Sequence, residues 1–360
     1  MDVELPALSH KQFLKIDHNY EKAATLVNLV YVHDNEAGIV RIKDGEGFVY
    51  VYGNKPLQKE DELQRIKKLA IPPAWTKVWI CPLENGHIQA TGLDKLQRKQ
   101  YRYHAVWNLL RNETKFHHLV EFGKALPQLR LRLEEDFGRK QLCEEKVIAT
   151  VISLMERTYI RIGNNDYEKL YGSYGLTTLK DKHAVIKGDE LTFSFRGKKG
   201  VHHKISLRNK KLARAVKECR DIPGKELFQY YDAEGKHRPV DSGMVNNYIK
   251  QATNGDFSAK DFRTWAGTLH ALQYFRSIGE ALNDAETKKN IVFVMDEVSK
   301  KLGNTRTVCK KYYVHPGLVK MYEEKKLAKY FEELDKLEKP DNISGLTSEE
   351  NLLLKILEKL

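Results

Sequence analysis

The chain has 360 residues, 41% of them hydrophobic and 31% charged, and a formal net charge of +12. That is enough apolar material for packed cores in about two domains of roughly 100–200 residues each, and it excludes a disordered chain. No apolar run reaches the ~18 residues of a membrane span, and residues 1–10 lack a basic stretch followed by an apolar one, so neither a membrane protein nor a secreted one is expected.

In chain order, residues 26–32 form a β-rich run. The runs 38–42 and 48–52 flank Lys43-Asp44-Gly45-Glu46-Gly47, a hairpin turn signal. A short helix over 57–69 stops at Ile71-Pro72-Pro73-Ala74-Trp75, because two prolines end any helical pattern. Strands follow near 78–81 and 87–91. Apolar residues then recur at helical spacing over 119–137 and 143–160. A β insert covers 176–179, 183–186, 191–195 and 202–207, with turns at Lys187-Gly188-Asp189 and Gly197-Lys198-Lys199-Gly200. Helices resume over 210–219, after Ser242, and over 259–277 and 284–302. Residues 348–360 form a last amphipathic helix. The expected class is α+β, with a small, mainly antiparallel β lobe at residues 1–108, a larger, mainly helical lobe at 109–330, and an acidic C-terminal tail at 331–360. The stretch 105–114 is expected to be a linker that acts as a hinge.

The four cysteines, Cys81, Cys143, Cys219 and Cys309, include no CxxC pair. They are read as reduced thiols of a cytoplasmic protein, nucleoid-associated if the host is bacterial. The tail from Phe331 to Leu360 carries eight acids and four bases, so the first 330 residues hold a net +16. Such a body suits a polyanionic partner, with nucleic acid ahead of a membrane surface. No GxxxxGK[ST] loop and no GxGxxG turn is present, so neither a nucleotide nor another cofactor is expected. The adjacent pairs His117-His118 and His202-His203 point in different directions on one element, and HExxH is missing. No metal site is therefore expected, and these histidines are read as surface or DNA-facing.

Two basic runs stand out. Residues 195–215 hold Arg196, Lys198, Lys199, Lys204, Arg208, Lys210, Lys211 and Arg214 with no acid; Lys95, Arg98, Lys99, Tyr101, Arg102, Tyr103 and His104 interleave cations with aromatics. A solvated basic face explains either run alone. Together they suit phosphate neutralisation by Lys and Arg, with hydrogen bonding and packing by Tyr.

Four segments are informative in combination: Tyr159-Ile160-Arg161-Ile162-Gly163-Asn164; Arg196-Gly197-Lys198-Lys199-Gly200; Lys260-Asp261-Phe262-Arg263-Thr264-Trp265; and Leu302-Gly303-Asn304 through Tyr312-Tyr313-Val314-His315-Pro316. In this order and spacing they resemble the active-site segments of type IB DNA topoisomerases, in the compact poxviral and bacterial branch. Ile71–Trp75, His87–Gly92 and Gln100–His104 resemble that branch's N-terminal DNA-clamp domain. The resemblance runs from about residue 25 to 320.

The resemblance implies a catalytic domain of the topoisomerase IB and tyrosine recombinase type, with a β-hairpin insert. It implies a tyrosine that attacks a backbone phosphate of duplex DNA, forms a 3′-phosphotyrosyl bond and releases a 5′-hydroxyl, without metal or ATP, in a monomer that clamps DNA. By position the nucleophile is Tyr313, with Tyr312 the rival. Arg161 and Arg263 match the arginines on the scissile phosphate, and Lys198 matches a general acid on the 5′-oxygen. Asn304 stands where relatives carry His or Asn. Lys99, Tyr101, Arg102, Tyr103, Asn164, Tyr167, Lys199 and Lys204 are the DNA-contact candidates. Asn164 replaces a lysine of poxviral members, and Gln97 replaces a glycine before the Tyr-Arg-Tyr-His run. These residue types suit the chemistry: guanidiniums stabilise an anionic in-line transition state, and lysine gives up a proton more readily than arginine. Two other readings stay open. One is a tyrosine recombinase, although those usually carry His, not Lys260, three residues before the second arginine. The other is a duplex-binding protein without chemistry.

Overall fold

The computed structural model describes residues 10–17, 19–95, 97–335 and 345–360. The chain divides into two compact units, Met1–His118 and Leu119–Leu360. Helix α4, introduced below, contains both this division and the expected boundary at residue 108.

The first unit opens with helices α1 (His10–Ile16) and α2 (Tyr20–Leu26). Asn19 caps α2 by accepting from Lys22 N at 2.9 Å. A sheet follows, made of β1 (Ile39–Asp44), β2 (Gly47–Tyr52), β3 (Lys55–Pro56), β4 (Thr76–Ile80), β5 (Ile88–Leu93) and β6 (Lys99–Tyr103), with helix α3 (Glu60–Lys68) inserted after β3. The strands pair antiparallel in the order β3-β2-β1-β4-β5-β6. Helix α3 starts on Glu60, Asp61 and Glu62 and ends on Arg65, Lys67 and Lys68, a charge order that complements the helix dipole. Its Ile66 packs with Ile39, Val78, Ile80 and Ala90. Arg41, buried on the same face, donates to the carbonyls of Ile71 (3.3 Å), Pro72 (3.0 Å) and Trp75 (2.7 Å), which pins the two-proline segment. A second core joins Phe13, Ala23, Ala24, Val27 and Leu29 to Trp107 and Leu110.

Two expectations change here, and one strand is added. Residues 26–32 are not a strand: α2 runs to Leu26, Asn28 turns the chain at φ +57°, and only Val30 forms a bridge, to Gly86. The burial of Val27, Leu29 and Val32 produced the β-like pattern. Residues 99–103 form the sixth strand of the sheet. Residues 105–114 are not a linker but the opening turns of α4 (Ala105–Phe137).

The second unit is mainly helical. Helix α5 (Glu144–Thr158) is its axis, with Val147 through Ile152, Leu154 and Met155 all buried. Next come α6 (Asn165–Tyr171) and the antiparallel sheet β7 (Ala184–Lys187), β8 (Glu190–Arg196) and β9 (His202–Arg208). Residues 176–179 are not a strand; Leu176–Thr178 form a 3₁₀ turn, in which Thr178 Oγ1 accepts from Gly175 N at 3.0 Å. Helix α7 (Lys210–Arg220), the hairpin β10 (Gln229–Tyr231) and β11 (His237–Pro239), α8 (Ser242–Thr253), α9 (Ala259–Ile278), α10 (Asp284–Leu302), α11 (Arg306–Tyr312), α12 (Pro316–Glu323) and α13 (Ala328–Asp335) follow.

Residues 336–344 of the expected acidic tail lie outside the described residues. Beyond them α14 (Ser348–Leu357) belongs to the second unit: Leu352, Leu353, Ile356 and Leu357 are buried. Its acidic groups are structural. Arg130 binds Glu350 in a fork (2.7 and 2.9 Å) and also Glu156 (2.7 Å), while Trp265 Nε1 donates to Glu350 at 3.2 Å. Burial opposes the Glu350 charge, but the Arg130 hydrogen bond and charge outweigh it and hold the carboxyl below its ordinary value. Glu350→Ala leaves Arg130 short of a partner and is expected to cost about 3–5 kcal/mol in chemical denaturation, Glu350→Gln less. Because the native pKa is the lower one, the wild-type contribution is complete above about pH 4.3 and fades as pH falls through the native value.

Candidate active site

Four chain segments of the second unit meet around Arg263. Helix α9 carries this residue one turn in, behind a capping box in which Ser258 and Asp261 satisfy each other. Arg263 is 4% exposed. One terminal nitrogen, Nη1, donates to the carbonyl of Tyr159, the left-handed residue that ends α5, and the other, Nη2, donates to the carbonyl of Leu302, at the end of α10 (2.7 Å). Arg161 lies two residues past Tyr159, and Asn304 two residues past Leu302. Arg161 Nη2 donates to Asn304 Oδ1, which closes the ring of contacts.

Tyr313 follows α11, the helix after Asn304, and its ring lies against Arg263, with the guanidinium carbon 5.1 Å from the ring centroid. Its carbonyl accepts from Thr268 Oγ1 at 3.2 Å. Gly267 makes this approach possible: a Cβ there would meet the Tyr313 carbonyl oxygen at 2.5 Å and its Cβ at 2.9 Å. Tyr312 is 41% exposed, with Lys311 over its ring at 5.4 Å. The arginines therefore face Tyr313.

Burial alone would raise the Tyr313 phenol. The charge and hydrogen bonding of Arg263, and the charges of Arg161 and Lys198, outweigh it and bring the pKa below the ordinary phenol value. Lys198 is exposed in the turn Lys198–Gly200 between β8 and β9. Two donors of the ring remain unspent: Arg263 Nε and Asn304 Nδ2 are buried without a hydrogen-bond partner. Buried unpaired donors are uncommon and suit a missing acceptor such as a phosphate oxygen. Among the described residues no group of three His, Cys, Asp or Glu side chains is placed to hold a metal ion.

Comparisons with known proteins give the family. Residues 99–340 match the model of the eukaryotic DNA topoisomerase I catalytic core, and residues 47–94 match that of the bacterial DNA topoisomerase IB N-terminal domain. DNA topoisomerase 1B of Acanthamoeba polyphaga mimivirus is 32% identical over 295 residues, which cover 79% of this chain and 88% of that one. The chain belongs to the type IB DNA topoisomerase family. It is similar also to DNA topoisomerase 1B of vaccinia virus (strain Copenhagen), at 24% identity over 65% of this chain and 72% of that one. DNA topoisomerase 1 of Mycosarcoma maydis is 26% identical over 47% of this chain and 19% of that one.

The other candidates of this topoisomerase are scattered. Lys199 stands in the same turn as Lys198, at φ +62°, and Lys204 is exposed on β9. Tyr167 is 43% exposed on α6. Asn164 caps α6 instead of projecting from it: its Oδ1 accepts from Asp166 N (2.8 Å) and Tyr167 N (3.2 Å). In the first unit, the period-two alternation of β6 puts Lys99, Tyr101 and Tyr103 on one face, with the two tyrosine rings stacked at 5.7 Å. Lys99 is paired with Asp34 at 2.6 Å. Arg102 falls on the opposite face, where it donates to the Ala70 carbonyl at 2.8 Å and stands over Trp75, a structural anchor.

The sequence reading missed Gly267, Thr268 and the two carbonyls that hold Arg263, since backbone acceptors leave no mark in side-chain chemistry. Gly267→Ala is expected to cost about 1–3 kcal/mol in stability through overpacking and to slow plasmid relaxation about 10²-fold by shifting Tyr313. Serine-sized or larger residues there should do worse in the same assay.

Proposed function

We propose that this enzyme acts on duplex DNA as a monomer, relaxing supercoils by cutting and resealing one strand through a 3′-phosphotyrosyl intermediate on Tyr313, with neither metal nor ATP. The supporting observation is the ring around Arg263: a phenol under three cations, beside two buried donors that lack an acceptor. All five groups come from one unit of one chain, so a second copy is not needed to complete the site.

In this reading the scissile phosphate accepts from Arg161, Arg263 and Asn304. These donors stand ready where negative charge grows on the non-bridging oxygens. Tyr313 releases its proton to solvent and its Oη attacks phosphorus; the P–O5′ bond breaks in line with the attack. Lys198 delivers a proton to the leaving 5′-oxygen, and its exposed place in a turn lets it reach a bound strand. The downstream duplex then turns about the uncut strand. The 5′-hydroxyl returns its proton to Lys198 and attacks phosphorus, the bond to the Tyr313 oxygen breaks and the phenolate leaves, so the bond energy is kept and no nucleotide is consumed. The guanidiniums supply the charge stabilisation that metal ions supply in other phosphoryl-transfer sites.

Plasmid relaxation tests this directly. In buffer with a chelator and without ATP, the wild type is expected to relax positive and negative supercoils, Tyr313→Phe to relax neither, and Arg263→Ala to be slower by about 10²–10³-fold. Loss of wild-type activity on chelation would contradict the proposal. Single-turnover cleavage at subsaturating concentrations, which reads the DNA-free site, should also rise with pH and level off below the ordinary phenol value of about 10, since the attacking form is the phenolate. A rise that continues to pH 10 would oppose the lowered Tyr313 value.

A further inference from the structure

The ring of His203 occupies an unusual place. His203 is on β9, opposite Phe195 on β8, and the two rings stack at 5.2 Å between centroids and 24° between planes. One edge of the imidazole lies against Gly197, the residue before Lys198; a Cβ on Gly197 would meet His203 Cδ2 at 2.6 Å and Nε2 at 2.7 Å. The other edge lies against Gly303, the residue before Asn304, where a Cβ would overlap His203 Cε1. The same ring thus fills the space between two turns, each of which presents a candidate catalytic side chain at its next residue.

Both turns are built on a glycine that has no side chain of its own at the contact. Gly197 donates to the Val201 carbonyl at 2.7 Å and closes the Lys198 turn. Gly303 ends α10 in the left-handed conformation at φ +59°, and Asn304 N donates to the Ser299 carbonyl at 3.0 Å, which directs Asn304 off the helix end. At Gly197 and at Gly303 the group that a Cβ would meet first is the His203 ring. Burial and then the charges of Arg161, Arg263 and His202 hold the imidazole below its ordinary pKa, so at neutral pH it fills the gap without adding a cation beside the arginines.

We propose that His203 is a positioning residue for strand cleavage: its flat ring is the spacer that sets the Lys198 turn against the Asn304 turn, and so places the lysine for proton delivery to the leaving 5′-oxygen. This rests on the cleavage reading above. It separates His203 from the surface or DNA-facing role expected from sequence.

The test is single-turnover cleavage by the full-length enzyme, at saturating concentration, of one duplex made in two forms. One form carries the natural bridging 5′-oxygen at the scissile bond, and the other a bridging 5′-sulphur. A thiolate leaves without a proton, so a misplaced general acid costs little on the sulphur form. His203→Ala is expected to cleave the oxygen form about 10–100-fold more slowly than wild type, as a misplacement on the ångström scale does. Its DNA affinity should stay within about twofold, and its rate on the sulphur form should return to within a few fold of wild type; these factors, too, are order-of-magnitude expectations. His203→Phe keeps a flat ring against Phe195 and both glycines, and is expected to recover most of the oxygen-form rate. Equal rates for His203→Ala and wild type on the oxygen form would overturn the proposal. So would an equal loss on both forms, or a His203→Phe rate as low as that of His203→Ala, since a nitrogen and not a spacer would then matter. A wild type that leaves no covalent adduct on either form overturns the cleavage reading, and this role with it.

Discussion

One buried cation organises the second unit's site. A guanidinium taken out of water needs several acceptors, and Arg263 finds them in the carbonyls that end α5 and α10. Those two helix ends are far apart in sequence, and each continues within two residues into a side chain of the site. Fixing Tyr159 and Leu302 on a single planar fork therefore fixes Arg161 and Asn304 as well. Their mutual hydrogen bond closes the loop. The fold's larger features serve this arrangement: α5 is a buried axis, α9 holds the fork, and α10 ends in a turn that aims Asn304.

The electrostatic consequences follow from burial. Arg161 has its pKa lowered by burial and by the nearby charge of Arg263, so the two cations stand at a cost in free energy that an anion between them would relieve. The same field acts on Tyr313 in the opposite sense from its own burial and wins. A site that is strained when empty and stabilised by an anion is preorganised for a transition state richer in charge than its ground state. Gly267 and Thr268 hold the tyrosine's backbone from α9, the helix that also supplies Arg263.

Much of this was legible in the chain itself, in uneven ways. The helix expected over 284–302 is α10, and the structure shows Asn283 capping its start and Gly303 ending it. The grouping of Arg161, Arg263, Asn304 and Tyr313 came from the resemblance of their four segments to those of a known family, and the structure brings them together. Elsewhere a local signal had two physical meanings. Residues 26–32 bury apolar side chains as a strand would, without a strand's pairing. Lys99 and Arg102 belong to one basic run, but strand alternation sends them to opposite faces, and the run was not read as a strand. Asn164 was weighed as a DNA contact although its position before Asn165 and Asp166 is that of a helix cap. The acidic end was counted by charge, while Glu350 is a buried partner of Arg130 and Trp265. His203 was dismissed with its neighbour as an adjacent pair; its packing against two glycines depends on contacts that sequence distance conceals.

The central claim is that Tyr313, and not its exposed neighbour, becomes esterified to the 3′ end of a cut strand. Denaturing the enzyme during turnover on duplex DNA, digesting the trapped complex and mapping the nucleotide-bearing peptide by mass spectrometry measures residue and polarity together. The account predicts a single adduct on the Tyr313 phenolic oxygen, carrying a 3′-phosphoryl nucleotide, with a free 5′-hydroxyl on the other strand end. An adduct on Tyr312 or any other side chain, or a linkage to a 5′ phosphate, would contradict it.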